Sequence, residues 1–362
     1  MRVLFIAPLP PPVTGHSLAS QVFLDGLAGH EVSVVDLSLG SRNDGTVTKR
    51  RLYEVGRALR SVAMQARGAD AIYLTISESL AGNLKDLLIY LLCIGRLDRL
   101  VIHLHGGSIK RLLFDYRPML ARVNAALYRR IGGVVISGPS HEHIFAGSVP
   151  ADRIHTVPNF AQDSLFVEPA AIRAKFAELI PVRVLYISGM IEPKGYLDLL
   201  AAYENLPREV RGMIQLDFAG RFDSVTERAA FLERIERTPG IAYHGVVGDD
   251  AKRELFARAH AFCLPTKMFE GQPISILEAY ASGCVVLTTG QPGIRDVFTP
   301  DRNGFQFDPG AVPGIEAALT RLVRERSAAE PIALANREAA ESRFRTTRYN
   351  GALTRILAGV AT

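Results

Sequence analysis

Two glutamates, Glu270 and Glu278, flank the start of a predicted helix in the stretch Phe269–Ala279. Pro273 has a backbone torsion suited to a first helical turn and lacks an N–H that would be unpaired there, so we expect the helix to begin at Gln272 or Pro273. Glu278 then lies about one and a half turns into the helix at ~3.6 residues per turn. Glu270 stays in the preceding loop.

The N-terminal end of this helix is suited to an anionic group. Unpaired N–H groups, for example those of Ile274 and Ser275, attract a phosphate together with the helix dipole. A carboxylate on either side of that position can accept hydrogen bonds from hydroxyl groups. One phosphate site with two hydroxyl acceptors is what a sugar nucleotide requires, although an ordinary amphipathic helix with two solvated glutamates has the same spacing.

The elements around the glutamates favour the first interpretation. Ala261–Pro265 predicts a buried strand, Ala279–Gly283 a helix end with a glycine cap, and Cys284–Thr289 the next strand. The loop with Glu270 therefore follows the carboxyl end of a strand, where open parallel sheets bind their ligands.

The whole segment resembles the signature of retaining glycosyltransferases of the GT-B fold, family four of the carbohydrate-enzyme classification, or glycosyl transferases group 1. The resemblance implies that Glu270 is a catalytic residue at the donor sugar and that Glu278 binds the ribose diol. It also implies a donor-binding role for residues between the two glutamates, namely Gly271, Gln272, Ile274 and Ser275.

The first strand-to-helix loop, Ala7–Ser17, is stiffened by prolines and has Gly15 just before a helix. An ordinary proline-rich loop would have the same composition. By resemblance, the glycine of this loop approaches the donor diphosphate, so Gly15 and the neighbouring Ser17 are predicted to contact it, with Gly15 as the main contact.

Val101–Ser108 predicts a strand that runs into a glycine-rich loop. The two-residue period puts His103 and His105 on one face, with His105 at the strand end. No third metal ligand is evident nearby, so we expect no metal. By resemblance, His105 is a catalytic residue close to the donor sugar, and His103 is structural.

Tyr186–Gly195 has the same strand–turn–helix form. A lysine at a helix start is unfavourable for the dipole unless it faces an anion, and a surface lysine is the alternative. The segment resembles the family's Gly-Arg…Lys-Gly motif, which implies that Lys194 neutralises the leaving diphosphate and that Gly189 contacts the donor. Met190 stands where the family usually has Arg. We hypothesise that Arg221, after the next strand, replaces it.

The loop Tyr243–Val247 resembles the family's base-contacting loop, so Val246 is a predicted donor-binding residue. Backbone groups usually read the base there, and residue identity says little about which base is bound. We favour a UDP-sugar over a GDP-sugar as the donor.

The composition bounds the class of protein. A chain of 362 residues that is 48% apolar can form two domains with large cores. Its three cysteines, Cys93, Cys263 and Cys284, lie in apolar runs, as core residues in a reducing compartment do. The N-terminus enters a strand without a signal peptide, and the apolar run Leu87–Ile94 is too short to span a bilayer. We expect a cytoplasmic protein that can bind peripherally at the inner face of the cell membrane.

The net charge of +5 is unevenly placed. Through Leu165 there are 18 basic and 13 acidic residues, and the remainder has 24 of each. These are solvated faces, or they attract anionic lipid, for which each basic residue near the surface contributes about 1 kcal/mol. No aromatic-interleaved basic motif points to nucleic acid. The basic clusters are Lys49–Arg51 with Arg57 and Arg60, Lys110–Arg111, and Arg122 with Arg129–Arg130.

Strands and helices alternate along the chain. The predicted strands are Arg2–Ile6, Glu31–Asp36, Ala71–Thr75, Leu100–Leu104, Gly133–Ser137, Ile154–Val157, Arg183–Ser188, Met213–Ala219, Ala261–Pro265, Cys284–Thr289 and Gly304–Phe307. The predicted helices include His16–Leu27, Leu52–Arg67, Gly82–Gly95, Pro118–Arg130, Ser140–Ala146, Lys194–Glu204, Ser224–Arg237 and Asp249–Ala259.

This order predicts an α/β protein of the GT-B type, with two doubly wound Rossmann-like domains facing a central cleft. We place an acceptor-binding domain at 1–165 and a nucleotide-sugar-binding domain at 166–345. Residues up to Pro181 lack strand alternation and are interpreted as the connection. Residues 346–362 are predicted to form a C-terminal helix that packs back on the N-terminal domain.

The resemblance predicts a retaining, metal-independent hexosyltransferase that moves a sugar from a nucleoside-diphosphate-sugar to a saccharide. The Gln272-Pro273 variant is similar to members that build bacterial surface polysaccharides, which implies a polyprenyl-diphosphate-saccharide acceptor at an anionic membrane surface. Two alternatives stay open. One is a sugar-nucleotide epimerase on a similar scaffold, and the other is a non-catalytic sugar-nucleotide-binding partner.

Overall fold

A computed structural model of the chain describes residues 1–38 and 49–361. The chain forms two compact units. Unit 1 comprises Met1–Asn159, Phe269–Gln272 and Thr346–Thr362, and unit 2 comprises Phe160–Met268 and Pro273–Arg345. Each unit contains a six-stranded sheet, and the strand pairs are parallel. The predicted α/β class with two doubly wound sheets is thus confirmed.

The sheet of unit 1 has the strand order β2-β1-β3-β4-β5-β6. Its strands are β1 (Arg2–Ala7), β2 (Glu31–Asp36), β3 (Ala71–Thr75), β4 (Leu100–Leu104), β5 (Gly133–Ile136) and β6 (Ile154–Thr156). Its first four helices are α1 (Gly15–Gly26), α2 (Lys49–Gln65), α3 (Leu80–Leu92) and α4 (Pro118–Tyr128). Between α3 and α4 lie a 3-10 segment at Ile94–Arg99 and a π-helical turn at Lys110–Phe114.

The sheet of unit 2 has the order β12-β11-β10-β7-β8-β9. Its strands are β7 (Val182–Ile187), β8 (Ile214–Ala219), β9 (Ile241–Tyr243), β10 (Ala261–Leu264), β11 (Val285–Thr289) and β12 (Gly304–Phe307). Its helices are α5 (Pro169–Ala177), α6 (Tyr196–Asn205), α7 (Arg208–Arg211), α8 (Val225–Glu236), α9 (Asp249–Arg258), α10 (Ile274–Ala281), α11 (Pro292–Arg295), α12 (Val312–Arg324) and α13 (Arg326–Arg343).

The last helix, α14 (Thr346–Ala361), belongs to unit 1 and lies against α1, β3 and β4. It buries Tyr349, Leu353 and Leu357. Gly132 allows this approach, because a Cβ there would lie 2.9 Å from Val360. The apolar strands β3, β4 and β5 are buried along their whole length, as parallel strands covered on both faces must be.

The predicted strands are present with ends shifted by at most one residue, and two helix predictions were wrong. The helices predicted at Leu52–Arg67 and Gly82–Gly95 are present with ends shifted by two or three residues. Ser140–Ala146 is a 3-10 turn at Pro139–Ile144. The helix predicted from Lys194 begins at Tyr196, because Gly195 takes a left-handed φ of 80° and ends a 3-10 turn at Glu192–Lys194. The helix predicted from Gln272 or Pro273 begins one residue later, at Ile274.

The interpretation of the segment before Pro181 as a plain connection was also wrong. It contains α5, whose Ile172 is buried in the core of unit 2. Gly283 makes room for it, since a Cβ there would lie 2.4 Å from Ile172 Cδ1. The side chains of Arg50 and Arg51, part of a predicted basic cluster, lie outside the described residues.

Lys175 of α5 ties this helix to the rest of unit 2. Its ammonium group donates to the carbonyl oxygens of Ala259 (2.8 Å), Ser282 (2.9 Å) and Gly283 (3.0 Å). The neighbouring His260 accepts the Arg183 N–H at Nδ1 (3.0 Å) and donates from Nε2 to the Lys175 carbonyl (3.0 Å), so its ring is neutral. Burial is the main cause that lowers the pKa of His260 to about 4.

Replacing Lys175 should destabilise unit 2. Lys175→Met leaves the Ser282 and Gly283 carbonyl groups without a donor and leaves the Ala259 carbonyl with only the Cys284 thiol (3.2 Å). Each unsatisfied group costs roughly 1–3 kcal/mol, so we expect a loss of about 3 kcal/mol. Chemical denaturation followed by circular dichroism measures it. The matched control is Lys267→Met, which removes a more exposed ion pair with Glu192 and should change stability by about 1 kcal/mol or less. Equal losses for both variants would contradict the role of Lys175.

Candidate functional site

In unit 1 the candidate residues lie where neighbouring parallel strands end. Gly15 follows β1, Glu78 follows β3 and His105 follows β4. The carboxyl ends of these adjacent strands meet at one edge of the sheet, where such sheets bind ligands. Gly271 brings the loop Phe269–Gln272 to this edge, because a Cβ there would lie only 1.9 Å from the carbonyl oxygen of His105.

The start of α1 is fixed by its own capping residues. Thr14 Oγ1 accepts the Ser17 N–H (3.1 Å), and Ser17 Oγ accepts the Thr14 N–H (2.8 Å). The Ser17 hydroxyl also donates to the Pro12 carbonyl (2.7 Å). Within residues 1–38 and 49–361, no heavy atom lies within 4 Å of a Cβ built on Gly15. The backbone of Gly15 is therefore approachable, whereas the Ser17 hydroxyl is engaged in the cap.

Three histidines form a stack in unit 1. The ring centroid of His105 lies 4.6 Å from that of His16 and 3.9 Å from that of His103. The Tyr73 hydroxyl lies 2.7 Å from His103 Nδ1. None of the three Nε2 atoms has a hydrogen-bond partner among the described residues. His16 was not predicted as a site residue, and its place directly after Gly15 was the only signal for it.

The stack is uncharged at neutral pH. Burial is the main cause that lowers the pKa of His16 to about 4 and that of His103 to about 3. Burial and the two neighbouring rings lower the pKa of His105 well below its ordinary value. A neutral imidazole can either donate or accept a hydrogen bond, so His105 Nε2 can bind a hydroxyl group without adding a charge.

Glu78 holds the loop that follows His105. Its Oε1 accepts the N–H groups of Ser108 (2.5 Å) and Ile109 (2.9 Å). A Cβ on Gly106 would lie 1.9 Å from Glu78 Oε2, so a larger residue there would displace this carboxylate. Burial is the main cause that raises the pKa of Glu78, and the nearby carboxylate of Glu270 raises it further. No sequence motif marks Glu78 beyond its position after a strand.

Glu270 is 9% exposed, and its loop is held tightly within unit 1. A Cβ on Gly107 would lie 3.0 Å from the Glu270 carbonyl oxygen. The side-chain amide of Gln272 accepts the Asn159 N–H (2.6 Å) and donates to the Ser137 carbonyl (3.1 Å). Both ends of that amide are occupied, so the structure gives Gln272 a role in holding the loop.

In unit 2, Glu278 is paired with a cation. The carboxylate is 2% exposed, and its Oε1 accepts a hydrogen bond from Lys252 Nζ of α9 (2.6 Å). Lys252 also donates to Gln162 Oε1 (2.7 Å). The sequence did not single out Lys252 or Gln162, because each lies far from Glu278 along the chain. The pair holds a buried carboxylate in place and supplies the charge that offsets it.

The start of α10 offers backbone donors. Pro273 occupies the N-cap position, and the first helical residues are Ile274 and Ser275. In the described part of the chain, neither of their N–H groups donates to another backbone or side-chain acceptor. The Ile274 side chain is buried, so this residue presents only its backbone to a ligand. An anion can bind at this position, as the sequence predicts.

The other predicted residues of unit 2 follow β7, β8 and β9, which are neighbours in the sheet. A Cβ on Gly189 would meet no heavy atom of the described residues within 4 Å, so its backbone is approachable. Lys194 ends the 3-10 turn after β7, and Val246 is 72% exposed. Arg221 forms a half-exposed ion pair with Asp223 (3.2 Å).

Met190 is fully buried in the apolar core of unit 2. Its thioether stem lies beside Gly220, where a Cβ would lie 3.4 Å from Met190 Cγ. The residue that replaces the family's usual arginine is thus a packing residue. Across residues 1–38 and 49–361 there is no group of three or more His, Cys, Asp or Glu side chains that could hold a metal ion. Nor does any helix there combine the length and apolar character needed to cross a bilayer.

Comparison with known proteins agrees with this architecture. Residues 181–325 match the family model described as Glycosyl transferases group 1. The chain is similar to O-antigen chain mannosyltransferase B of Escherichia coli, with 31% identity over 191 residues that cover 49% of this chain and 47% of that protein. It is also similar to the amylovoran biosynthesis glycosyltransferase AmsK of Erwinia amylovora, with 22% identity over 252 residues, 66% of this chain and 59% of that protein. The chain spans about half the length of the curated relatives that it matches.

Solved structures share the fold over the whole chain. Anabaena HepE in complex with UDP and glucose has a TM-score of 0.74 at 18% identity, covering 99% of both chains. WaaG, a glycosyltransferase involved in lipopolysaccharide biosynthesis, has a TM-score of 0.68 at 14% identity, covering 98% of this chain and 99% of WaaG. The predicted GT-B fold is confirmed.

The histidine stack should make unit 1 sensitive to acid. Because the folded-state pKa values of His16 and His103 lie below the unfolded value near 6.5, the unfolded state binds more protons as the pH falls below 6.5. Each histidine should therefore cost about 2 kcal/mol of stability between pH 7.5 and pH 5. Urea unfolding across this range measures the slope. His103→Asn should flatten the slope, and an unchanged slope would show that His103 is protonated in the folded protein.

The buried Lys252–Glu278 pair predicts that the effects of the two residues on the free energy of unfolding are strongly coupled. Lys252→Met leaves the Glu278 carboxylate buried without its cation and should cost about 3–5 kcal/mol. The double variant Lys252→Met/Glu278→Gln should lose much less than the sum of the single changes. Unfolding free energies of the four proteins complete the cycle, and additive losses would refute the pairing.

Proposed function

We propose that the protein is a glycosyltransferase that moves a sugar from a nucleoside-diphosphate-sugar to a saccharide acceptor. The observation that carries the proposal is the arrangement around α10. Glu278 lies in the same unit as the N–H groups of Ile274 and Ser275, which have no described acceptor, and Glu270 precedes both in the sequence. The match of residues 181–325 to the group 1 glycosyltransferases spans both glutamates and supports this assignment.

In this proposal unit 2 binds the nucleotide and the diphosphate. Glu278 accepts the ribose hydroxyls, and the N–H groups of Ile274 and Ser275 bind phosphate oxygens. Lys194 adds a positive charge to the diphosphate as it leaves, and Gly189 allows its close approach. These fixed donors stabilise charge that develops in the transition state, which is how such groups accelerate a reaction.

Unit 1 acts on the sugar. Glu270 accepts hydrogen bonds from hydroxyls of the donor sugar. His105 is neutral, so its Nε2 can hydrogen-bond the sugar without first exchanging a proton with solvent. Glu78 and Gln272 position the loops that bear these two residues. We propose that the reaction retains the anomeric configuration, requires no divalent metal, and uses a donor phosphate oxygen to deprotonate the acceptor.

We further propose UDP as the nucleotide and a lipid-linked saccharide as the acceptor, in the assembly of a bacterial surface polysaccharide. HepE has been solved with UDP and with UDP-glucose, which favours a UDP-sugar donor here. Relatives named for O-antigen and amylovoran synthesis favour the polysaccharide context. Because Met190 is fully buried, we propose that Lys194, the helix N-terminus and Arg221 bind the diphosphate.

Donor binding can be tested before the acceptor is known. In chelator-containing buffer, a UDP-sugar at 100 times its Kd should stabilise the protein by about 2.7 kcal/mol, which thermal unfolding detects. Glu278→Ala should abolish this stabilisation. The matched control is Glu254→Ala, which removes an exposed carboxylate on α9 and should respond like wild type. No response to UDP-, GDP- or ADP-sugars would contradict the proposal.

The reaction class is then resolved by nuclear magnetic resonance of the products. Transfer with the same anomeric configuration is the expected result when a lipid-linked saccharide is supplied. Conversion of the donor sugar without an acceptor would identify an epimerase instead. Donor binding without turnover on any acceptor would indicate a binding partner.

A further inference from the structure

Helix α3 buries two polar side chains beside the apolar Ile89 and Tyr90, and it exposes a row of leucines. Its buried side carries Asn83 and Asp86, each 0% exposed. Asp86 accepts the Ser77 N–H (2.7 Å) and pairs with Lys85 (2.5 Å), while Asn83 exchanges hydrogen bonds with Asn124 of α4 (3.0 and 3.1 Å). Burying such groups is unfavourable unless they are paired, so the inner face of α3 is a built polar contact.

The outer side of α3 is apolar. Leu84, Leu88, Leu91 and Leu92 are 49%, 46%, 56% and 42% exposed, and their spacing puts them on one helical face. Single exposed leucines are common, but a helix that turns a row of leucines to solvent while it buries an aspartate marks an interaction surface.

Helix α4 extends this surface. The strands β3, β4 and β5 are consecutive neighbours, so right-handed crossovers place α3 and α4 on the same face of the sheet. The asparagine pair joins the two helices. Met119 and Val123 of α4 are 77% and 49% exposed. We call this surface, with the leucines of α3, the α3–α4 face.

The chain segment that contains the α3–α4 face is strongly basic. Residues 80–130 contain nine basic and three acidic residues, a net charge of +6, and one of the acids is the buried Asp86. Lys110, Arg111, Arg117, Arg122 and Arg129 are all exposed. A row of exposed leucines in a positively charged segment fits an anionic partner that also offers an apolar layer.

We propose that the α3–α4 face binds the surface of an anionic lipid bilayer. The leucines would enter the boundary between headgroups and acyl chains, and the arginines and lysines would contact the phosphates around them. A bilayer supplies both components over an area large enough to cover two helices. The inference rests on the proposed function in one respect: a protein bound to the bilayer would lie close to the proposed lipid-linked acceptor.

Vesicle sedimentation without any sugar nucleotide tests the contact. The full chain should sediment with vesicles of equal parts phosphatidylglycerol and phosphatidylcholine, but not with phosphatidylcholine alone. Leu84→Glu/Leu88→Glu should weaken binding at least tenfold. Glutamate is a good helix former at these exposed positions, so the variant should fold. Val225→Glu, which changes an 85% exposed apolar residue of unit 2, is the matched control and should bind like wild type.

The contribution of charge is tested separately. Arg122→Glu/Arg129→Glu should also weaken binding tenfold or more, and raising the salt from about 0.1 M to about 1 M should release wild type, since the screening length falls from about 10 Å to about 3 Å. The inference is overturned if wild type does not bind anionic vesicles, or if the leucine variant binds equally well. It is also overturned if the leucine variant abolishes only a concentration-dependent dimer seen by light scattering, which would assign the face to a second copy.

Donor-induced thermal stabilisation on the same preparations separates this inference from the proposed function. Stabilisation by a UDP-sugar without vesicle binding would refute the lipid contact alone. Vesicle binding without donor stabilisation would refute the transferase proposal alone. The leucine variant should keep the full donor response, because neither leucine belongs to the residues assigned to the donor.

Discussion

Both units depend on the requirement that parallel strands be covered on both faces. Strands such as β4 and β11 are buried throughout, so polar groups leave the sheets mainly at the strand ends. Helix starts, glycines and loop carboxylates therefore collect at the carboxyl edge of each sheet. Gly106 and Gly271 then bring backbone and carboxylate groups of unit 1 to distances that a side chain would prevent.

Buried polar groups are either kept neutral or paired, and both arrangements occur in each unit, as the Lys85–Asp86 pair of unit 1 and the neutral His260 of unit 2 also show. Unit 1 stacks three imidazoles whose pKa values are lowered by burial, and these rings stay neutral. Unit 2 retains charge but matches it, as with Lys252 and Glu278 or the three carbonyls around Lys175. Both arrangements avoid an unpaired buried charge, which is the most destabilising alternative. They also leave hydrogen-bonding atoms oriented before any ligand arrives.

Sequence periodicity was enough to place the strands, because short apolar runs bounded by glycines and prolines favour buried strands over helices. It failed where local signals conflict with packing. Helix α5 has only two large apolar residues, Ile172 and Phe176, and was taken for a connection, although Ile172 and Lys175 anchor it. The carboxylates Glu270 and Glu278 had a recognisable spacing, whereas Lys252 and Glu78 act through contacts that are distant in sequence. The outward leucines of α3 were visible only as an apolar run, because sequence alone does not tell which helical face is buried.

The position of α14 has a consequence for how the chain is made. Unit 2 is complete once Arg345 has been synthesised, whereas unit 1 lacks the helix that covers parts of β3 and β4 until Thr346–Ala361 has been added. During translation, the sheet of unit 1 is made first but stays partly uncovered until α14 has been added. The apolar strands of unit 1 would be exposed to aggregation for as long as α14 is missing.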